Sequence, residues 1–197
     1  MTPPPQTISV IVPAYNEREG LAHVLPRLTE TLNSSGWTYE IILVDDGSTD
    51  GGTDQPLPSG IKLLRSPIRR GYGNSLMWGI RSAQYPWIAT LDADGTYPVE
   101  ELPNLLPPTS AFDMVIGART GAHYWKKQLH FPARLLFLWM AEFVCGEKIP
   151  DVNSGLRVFK KTLLDKLPIV CPGFSFSTTL TISALSLHRP VHFVPIR

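Results

Sequence analysis

The sequence predicts an α/β fold in which a mostly parallel sheet lies between helices on both of its faces. Short apolar runs alternate with segments of helical spacing, at the distances that crossovers between parallel strands require. The runs are apolar on both faces, which is typical of strands buried between two helical layers. The length of 197 residues suits one domain, and we expect residues 1–197 to form it.

Most of the predicted elements lie in the first half of the chain. We expect strands at 8–12, 39–44, 61–64, 87–91 and 113–116. Helical spacing of apolar residues covers 17–33 and 73–84. Pro26 lies inside the first helix and is expected to kink or shorten it. Beyond about residue 120 the pattern is less regular, with an apolar helix near 132–145 and a last strand near 191–195.

Composition excludes several classes of protein. The net charge of +1, with 18% charged residues, provides no strong field, so we expect no nucleic-acid partner. No apolar stretch reaches the ~20 residues of a membrane span. The start of the chain has no basic and apolar leader, so we expect a cytoplasmic protein. Its two cysteines, Cys145 and Cys171, are then expected to be reduced thiols.

Carboxylates follow three of the first four predicted strands. Glu17 follows the first strand, Asp45 and Asp46 the second, and Asp92 and Asp94 the fourth. The carboxyl ends of parallel strands share one edge of the sheet, and ligands bind at that edge in open α/β folds. One such end is ordinary turn chemistry. Three ends in one cleft need a cation or a ligand rich in donors to offset their repulsion.

The spacing of Asp92 and Asp94 predicts a metal site. Residues i and i+2 of an extended strand face the same side. Two oxygen ligands with open coordination positions suit Mg²⁺ or Mn²⁺ shared with phosphate, and no suitably spaced His and Cys residues offer a zinc site. A divalent metal stabilises the charge on a departing diphosphate. The residues therefore predict a metal-dependent reaction on a nucleoside diphosphate compound.

Six short motifs follow one another along the chain. They are P-A-Y-N-E, V-D-D-G-S-T-D, R-R-G-Y-G, L-D-A-D-G-T-Y-P, V-I-G-A-R and D-V-N-S-G-L-R-V-F-K. Together, over residues 7–196, they resemble glycosyltransferase family 2, and within it the dolichol- and polyprenyl-phosphate sugar transferases. The resemblance implies a GT-A fold and an inverting hexosyltransferase with Mg²⁺ or Mn²⁺ as its cofactor. It also implies a nucleotide-sugar donor of the GDP-mannose or UDP-glucose type and a polyprenyl-phosphate lipid acceptor.

The resemblance assigns roles to individual residues. It implies a nucleotide-sugar site formed by Pro13, Tyr15, Glu17, Val44, Asp46, Asp92, Ala93 and Asp94. Asp92 and Asp94 correspond to the metal-binding DXD pair, and Thr96 is either a further metal ligand or the N-cap of the helix that follows. Arg119 and Arg157 correspond to arginines near the donor phosphates or the acceptor phosphate, where a planar guanidinium suits the oxygens. These two arginines and Asp94 are the implied catalytic residues, and the alternative for each arginine is a surface ion pair.

The acceptor is inferred from the resemblance and from an absence. Ser154, with Arg157, corresponds to residues that hold the acceptor phosphate. No Asp or Glu occurs between Lys166 and Arg197, where a base would be expected, and Asp151 is the nearest remaining candidate, although it could equally form a turn. A phosphate monoester needs no base, because its second pKa near ~6 leaves it mostly dianionic at neutral pH. This favours a polyprenyl-phosphate acceptor.

Three segments leave alternatives open. Gly71 and Gly73 either let the backbone approach the donor or form a plain turn before a helix. The basic and aromatic 121–131 loop is either solvated or a mobile acceptor loop at a membrane surface. Its characteristic side chains are His123, Tyr124, Trp125, Lys126, Lys127 and His130. The apolar 132–145 helix either packs in the core or a dimer contact, or lies on a membrane.

Relatives continue beyond the point where this chain ends. They carry a basic segment and often membrane helices there, so we expect residues 1–197 to be a GT-A catalytic domain without that segment. We expect it to act at the cytoplasmic face of a membrane. Two other functions stay open: a catalytically weak nucleotide-sugar binding module, and a transferase to a saccharide acceptor. Turnover with and without a downstream segment distinguishes the first, and an acceptor comparison distinguishes the second.

Overall fold

The computed structural model describes residues 6–106, 111–120, 132–167, 173 and 175–196, with only the backbone of 132–135. Within these residues a seven-stranded sheet forms the centre of the fold. Its strands are β1 (Thr7–Ala14), β2 (Thr38–Asp45), β3 (Ile61–Arg65), β4 (Trp87–Thr90), β5 (Met114–Arg119), β6 (Arg157–Lys160) and β7 (Val191–Ile196). The helices are α1 (Arg18–Ser34), α2 (Tyr72–Ser82), α3 (Leu102–Leu105), α4 (Pro132–Cys145) and α5 (Phe176–Ser186). Short 3-10 turns occupy Gly52–Asp54, Val99–Glu101 and Lys161–Lys166.

The sheet is mixed but mostly parallel, with the strand order β3-β2-β1-β4-β6-β5-β7. β1 pairs in parallel with β2 and β4, β2 with β3, and β5 with β7. β6 runs antiparallel to its neighbours β4 and β5. The predicted mostly parallel sheet and its first five strands are therefore confirmed. β6 and α5 are absent from the sequence prediction.

Alternate side chains of the central strands face two helical layers. In β1, Val10 and Val12 belong to the cluster that includes α1, whereas Ile11 belongs to the cluster of α2 and α5. The buried side of α1 consists of Leu21, Val24, Leu25, Leu28 and Leu32. Pro26 lies on the exposed side and does not shorten α1, because burial of these five side chains outweighs the loss of one backbone hydrogen bond.

Helix α4 buries one side and exposes the rest. Ala141 and Cys145 pack with Leu185 of α5 in a small third cluster, and Cys145 is a free thiol. The opposite side exposes Leu136, Phe137, Trp139, Met140, Phe143 and Val144. In the part of the chain that the structure describes, we find no helix long and apolar enough to cross a membrane. The second cysteine, Cys171, and the predicted 121–131 loop lie outside the described residues.

Candidate functional site

A cavity of about 730 Å³ opens at the carboxyl ends of β1, β2 and β4. Its volume lies within the range of small-molecule sites. The structure brings seven of the predicted donor-site residues to its wall: Pro13, Tyr15, Glu17, Asp46, Asp92, Ala93 and Asp94. The rest of the wall is formed by Ala14, Arg69, Arg70, Gly71, Tyr72, Ser75, Asn153 and Ser177.

The loop after β1 is clamped to the loop after β2. Asn16 has a left-handed backbone (φ 55°), and its N–H donates to Oγ of Ser48 at 3.0 Å. Its own Oδ1 accepts the N–H of Thr49 at 2.8 Å, and the N–H of Arg18 donates to Oδ2 of Asp50 at 2.8 Å. These bonds fix the backbone on both sides of Glu17. The guanidinium of Arg69 lies 4.1 Å from the centre of the Tyr15 ring at the exposed rim of the cavity.

The two adjacent aspartates after β2 have different environments. Asp45 points into the protein, where it accepts from the Ser48 N–H at 2.8 Å and the Thr53 hydroxyl at 2.5 Å and pairs with Arg65 at 3.3 Å. Burial alone would raise the pKa of Asp45, but these bonds and the Arg65 charge outweigh burial and lower it. Asp45 therefore stabilises the loop.

Asp46 faces the cavity instead and orders the segment that leads into α2. Its Oδ1 accepts the N–H of Arg70 at 2.7 Å, and its Oδ2 accepts the N–H of Gly71 at 2.8 Å. Gly71 has φ +92°, a conformation that favours glycine. Gly71 therefore forms the turn before α2 and also lies on the cavity wall, so both alternatives predicted for it stay open.

Asp92 is held between a phenol and a backbone. Tyr72 donates its hydroxyl to Oδ1 of Asp92 at 2.8 Å. On the other side, a Cβ at Gly155 would lie 2.0 Å from Oδ2, so only glycine leaves room for the carboxylate. Burial, followed by the charge of Asp94, raises the pKa of Asp92, and the Tyr72 bond and Arg157 oppose the rise without cancelling it.

Asp94 is exposed to the cavity, and its Oδ1 accepts the N–H of Thr96 at 2.9 Å. Thr96 is not the N-cap of the following 3-10 turn, because that position is taken by Pro98, so this alternative is wrong. The pKa of Glu17 is raised by partial burial and then by the carboxylates of Asp94, Asp50 and Asp92. These acidic groups repel one another across the cavity.

The donor set fits a hard divalent cation that takes further ligands from elsewhere. Oxygen ligands suit Mg²⁺ and Mn²⁺. Such a cation would also offset the repulsion between Glu17 and the nearby aspartates. Outside the undescribed segments, no three His, Cys, Asp or Glu side chains form a complete metal site. Asp92 and Asp94 would therefore share the ion with oxygens of a bound ligand and water.

Arg119 is engaged with Asp151. Its Nε donates to Oδ2 at 2.7 Å and its Nη2 to Oδ1 at 3.1 Å, and Asp151 is buried. The Arg119 guanidinium also lies 5.3 Å from the centre of the Tyr97 ring. The hydroxyl of Tyr97 accepts the N–H of Gly155 at 2.7 Å. Arg119 is therefore connected to the backbone that packs against Asp92.

Arg157 is fully buried (0% exposed) and is not a surface ion pair. Its guanidinium donates to the carbonyl oxygens of Ser154 (3.0 Å) and Ser177 (2.8 Å) and to the hydroxyl of Thr181 (3.1 Å). Burial lowers the pKa of Arg157, although nearby tyrosine and aspartate side chains oppose that change. Ser154 is also buried, and its hydroxyl donates to the carbonyl of Gly117 at 2.6 Å.

Five predicted residues do not belong to the described part of the cavity wall: Val44, Thr96, Arg119, Ser154 and Arg157. Val44 packs in the core on the α2 side of the sheet. Sequence reasoning missed Tyr72 and Ser177 as wall residues. Tyr72 lies in the quoted R-R-G-Y-G motif, which could have drawn attention to it. For Ser177, in a stretch of hydroxyl residues, the sequence contains no comparable signal.

Comparison with known proteins agrees with the predicted family. The family model described as Glycosyl transferase family 2 matches residues 9–168. The chain is 30% identical over 193 residues to an undecaprenyl-phosphate 4-deoxy-4-formamido-L-arabinose transferase of Pseudomonas fluorescens (strain SBW25), covering 89% of the chain and 56% of that protein. For the protein of the same name from Aeromonas hydrophila, identity is 31% over 168 residues, covering 81% and 51%. The chain thus spans about half the length of these relatives.

Solved structures agree on the fold. A glucosyl-3-phosphoglycerate synthase from Mycobacterium tuberculosis in complex with phosphoglyceric acid superposes with a TM-score of 0.76 at 23% identity. The alignment covers 96% of this chain and 70% of that one. The same protein in complex with Mn²⁺, UDP and glucosyl-3-phosphoglycerate gives 0.73 at 21% identity, with the same coverage. At this level of identity the likeness concerns the fold alone, and it confirms the predicted GT-A architecture.

Proposed function

The chain belongs to glycosyl transferase family 2, and from this membership and the acidic cavity we propose that it transfers a sugar from a nucleotide-diphosphate donor to a polyprenyl phosphate. The reaction depends on Mg²⁺ or Mn²⁺ and inverts the anomeric carbon. The observation that carries the proposal is the acidic group at the cavity wall, where Glu17, Asp92 and Asp94 line one cavity. Partial burial, and then the neighbouring carboxylates, raise the pKa of Glu17.

The donor occupies the cavity with its nucleoside toward β1 and β2. Pro13, Tyr15 and Asp46 line that part of the wall, and Val44 supports it from the core. The clamp between the two loops makes the pocket rigid before the donor binds, which lowers the entropy cost of binding. The base and sugar of the donor are of the GDP-mannose or UDP-glucose type.

The diphosphate lies beside Asp92, Ala93 and Asp94. The two carboxylates would hold the divalent cation, and the hydroxyl of Thr96, whose N–H bonds Asp94, would be a further ligand. When bound, the cation neutralises charge that develops on the departing diphosphate. The protein orients these oxygens in advance, because Tyr72 and the Thr96 N–H already fix the two carboxylates.

A phosphate acceptor is supported by the state of Asp151. This carboxylate is the nearest candidate base on the acceptor side, but it is buried and accepts two hydrogen bonds from the Arg119 side chain. A phosphate dianion needs no base to attack. The relatives at 30% and 31% identity are undecaprenyl-phosphate transferases by name, which supports the same acceptor class.

Arg119 and Arg157 play different parts in this proposal. Arg119 has a partly exposed side chain and contacts a phosphate of the donor or acceptor. Arg157 is a positioning residue, because among the described residues its link to the cavity wall is the carbonyl of Ser177. Arg157 and Ser154 support the acceptor-side wall of the cavity from the protein interior. The positive charge of Arg157 also offsets part of the negative charge of Asp92.

A membrane surface is the proposed setting, at the cytoplasmic face. Six exposed apolar side chains of α4, from Leu136 to Val144, form an apolar surface, and exposed apolar patches mark interaction sites. Trp139 and Phe143 stack with their ring centres 5.9 Å apart. Aromatic and aliphatic side chains on one helix face suit the interface between lipid headgroups and acyl chains. This surface would bring the cavity to a lipid acceptor.

The proposal is tested by transfer assays with sugar nucleotides and two kinds of acceptor. GDP-mannose and UDP-glucose are offered with undecaprenyl phosphate in detergent or with a saccharide, in Mn²⁺ and in EDTA. The chain is assayed alone and with the downstream segment of a longer form. We expect metal-dependent transfer to the lipid phosphate. Efficient transfer to a saccharide hydroxyl, with none to the lipid, would overturn the acceptor assignment, and metal-dependent donor binding without turnover in either form would indicate a binding module.

A further inference from the structure

Each carboxylate of the DXD pair already has one oxygen engaged by the protein. The phenol of Tyr72 donates to Oδ1 of Asp92 at 2.8 Å, and the N–H of Thr96 donates to Oδ1 of Asp94 at 2.9 Å. The Oδ2 atoms of both aspartates accept no hydrogen bond from the described residues. Within the part of the chain that the structure describes, one oxygen of each aspartate therefore accepts no hydrogen bond, and in Asp92 this oxygen packs against Gly155.

The carboxylate of Asp92 is also prevented from turning. The backbone of Gly155 packs so close that an added Cβ would lie 2.0 Å from Oδ2 and 2.9 Å from Oδ1. Tyr72 lies on the other side, packed against the core cluster of α2 and α5 and beside Ser177 in the cavity wall. Ser177 is in turn held by Arg157, which donates to its carbonyl at 2.8 Å. Tyr72 is therefore a fixed donor rather than a freely rotating one.

We infer that Tyr72 sets the metal selectivity of the site by limiting Asp92 to a single coordinating oxygen. The inference rests on the proposed function, since it presumes a divalent metal at Asp92 and Asp94. Mg²⁺ requires a near-ideal octahedron, and it commonly uses one or two carboxylates together with substrate phosphates and water. Ca²⁺ takes 6–8 oxygen ligands and accepts carboxylates through both oxygens. Two aspartates that each offer one oxygen therefore favour the smaller cation, and removal of the Tyr72 bond would let Asp92 offer two.

The test compares Tyr72→Phe with the wild-type chain by isothermal titration calorimetry. The dissociation constants of UDP and GDP are measured at saturating Mn²⁺ and at saturating Ca²⁺, so the readout is binding rather than turnover. Tyr39→Phe is the matched control, because Tyr39 donates its hydroxyl to Asn33 at the far end of β2. Loss of a residue that orients a metal ligand costs about 10–100-fold in metal affinity. We expect the preference for Mn²⁺ over Ca²⁺ to fall by about tenfold or more in Tyr72→Phe and to be unchanged in Tyr39→Phe.

Equal effects on both metals, or no effect on either, would overturn the inference while leaving the proposed function intact. If the wild-type chain binds neither nucleotide in a metal-dependent way, the proposed function fails and the inference with it. Should Tyr72→Phe not fold, infrared spectra of the wild-type chain with UDP and Mn²⁺ provide the test, with Asp92→Asn to identify the band. A carboxylate band typical of one coordinating oxygen supports the inference, and a bidentate band contradicts it.

Discussion

The guanidinium of Arg119 lies against the carboxylate of Asp151, with its Nε 2.7 Å from Oδ2 and its Nη2 3.1 Å from Oδ1. The backbone N–H of Arg119 approaches the same Oδ2 at 3.3 Å, and that of Asn153 approaches Oδ1 at 3.2 Å. A carboxylate with this many donors is fixed in place. Both oxygens of Asp151 are occupied by these donors, so its place beside the N-S-G motif has a structural explanation that does not require a general base.

Asp151→Asn is expected to reduce stability far more than it reduces chemistry. The substitution removes the charge opposite Arg119, and truncating a buried partner costs about 1–3 kcal/mol. Loss of a general base would instead lower the transfer rate by about 10²–10⁴-fold. Chemical denaturation and the transfer assay measure the two effects. Asp113→Asn is the control for stability alone, because Asp113 pairs with Lys160 and Arg189. A rate loss of the larger size without a stability loss would restore Asp151 as the base.

Asp94→Asn is expected to abolish metal-dependent nucleotide binding and leave the fold intact. An asparagine Oδ1 can still accept the Thr96 N–H, so the local turn is preserved. The charge that holds the cation is lost. Calorimetry with UDP or GDP, in Mn²⁺ and in EDTA, measures the change. Asp54→Asn provides the control, since Asp54 forms an exposed ion pair with Arg65. Unchanged binding in Asp94→Asn would remove Asp94 from the metal site.

Gly155→Ala is expected to weaken metal and nucleotide binding by displacing Asp92. The added Cβ would lie 2.0 Å from Oδ2 of Asp92, so the carboxylate must move. Overpacking of this kind also costs about 1–3 kcal/mol of stability. Gly173→Ala is the matched control, because a Cβ there meets no heavy atom of the described residues within 4 Å. If nucleotide affinity in Mn²⁺ were the same in both variants, the contact between Gly155 and Asp92 would have no role in binding.

Local patterns in the sequence were sufficient to predict the parallel half of the sheet. Its strands are continuous apolar runs, and their ends place Glu17, Asp46, Asp92 and Asp94 on one edge, as the structure confirms. Strand β6 could not be predicted from local patterns. It has only four residues, begins at the buried Arg157 and depends on pairing with β4 and β5. Helix α5 could not be predicted either, because its β-branched and hydroxyl residues have low intrinsic helix propensity.

Roles that depend on long-range contacts could not be predicted. Tyr72 and Asp92 are 20 residues apart, and their bond exists because α2 packs on β1 while β4 pairs with β1 in the sheet. Arg157 was assigned from its motif alone, and its complete burial follows from α5, which the sequence did not reveal. The neighbouring sequence does not distinguish an arginine that contacts phosphate from one that supports the cavity wall from the protein interior.

Glu17→Gln is expected to raise the thermal stability of the metal-free protein at neutral pH. The pKa of Glu17 is raised in the folded state, so folding is favoured by its protonated form below the ordinary value of 4.5. That contribution is lost as pH rises through the folded pKa, and repulsion from Asp94, Asp50 and Asp92 remains. The glutamine variant carries no such repulsion. Its melting temperature in EDTA should exceed that of the wild-type chain above this pH window and equal it below.

Two further measurements distinguish this repulsion from a general effect of charge. Mn²⁺ with a nucleoside diphosphate should reduce the difference between Glu17→Gln and the wild-type chain, because the cation offsets the same repulsion. Glu19→Gln, two residues further along the chain and exposed in the first turn of α1, should keep the pH dependence of the wild-type chain. A stability difference that does not vary with pH would contradict the proposed interaction between Glu17 and the metal-site carboxylates.

Arg157→Lys is expected to lower stability without changing recognition of the acceptor phosphate. The planar guanidinium reaches Ser154, Ser177 and Thr181 at once, and a lysine ammonium cannot match this geometry. Leaving buried acceptors unpaired costs about 1–3 kcal/mol. Denaturation measures this loss, and the KM for undecaprenyl phosphate is compared at a temperature where both proteins are folded. If Arg157 bound the phosphate directly, the KM would rise while stability stayed the same, and that result would return Arg157 to the acceptor site.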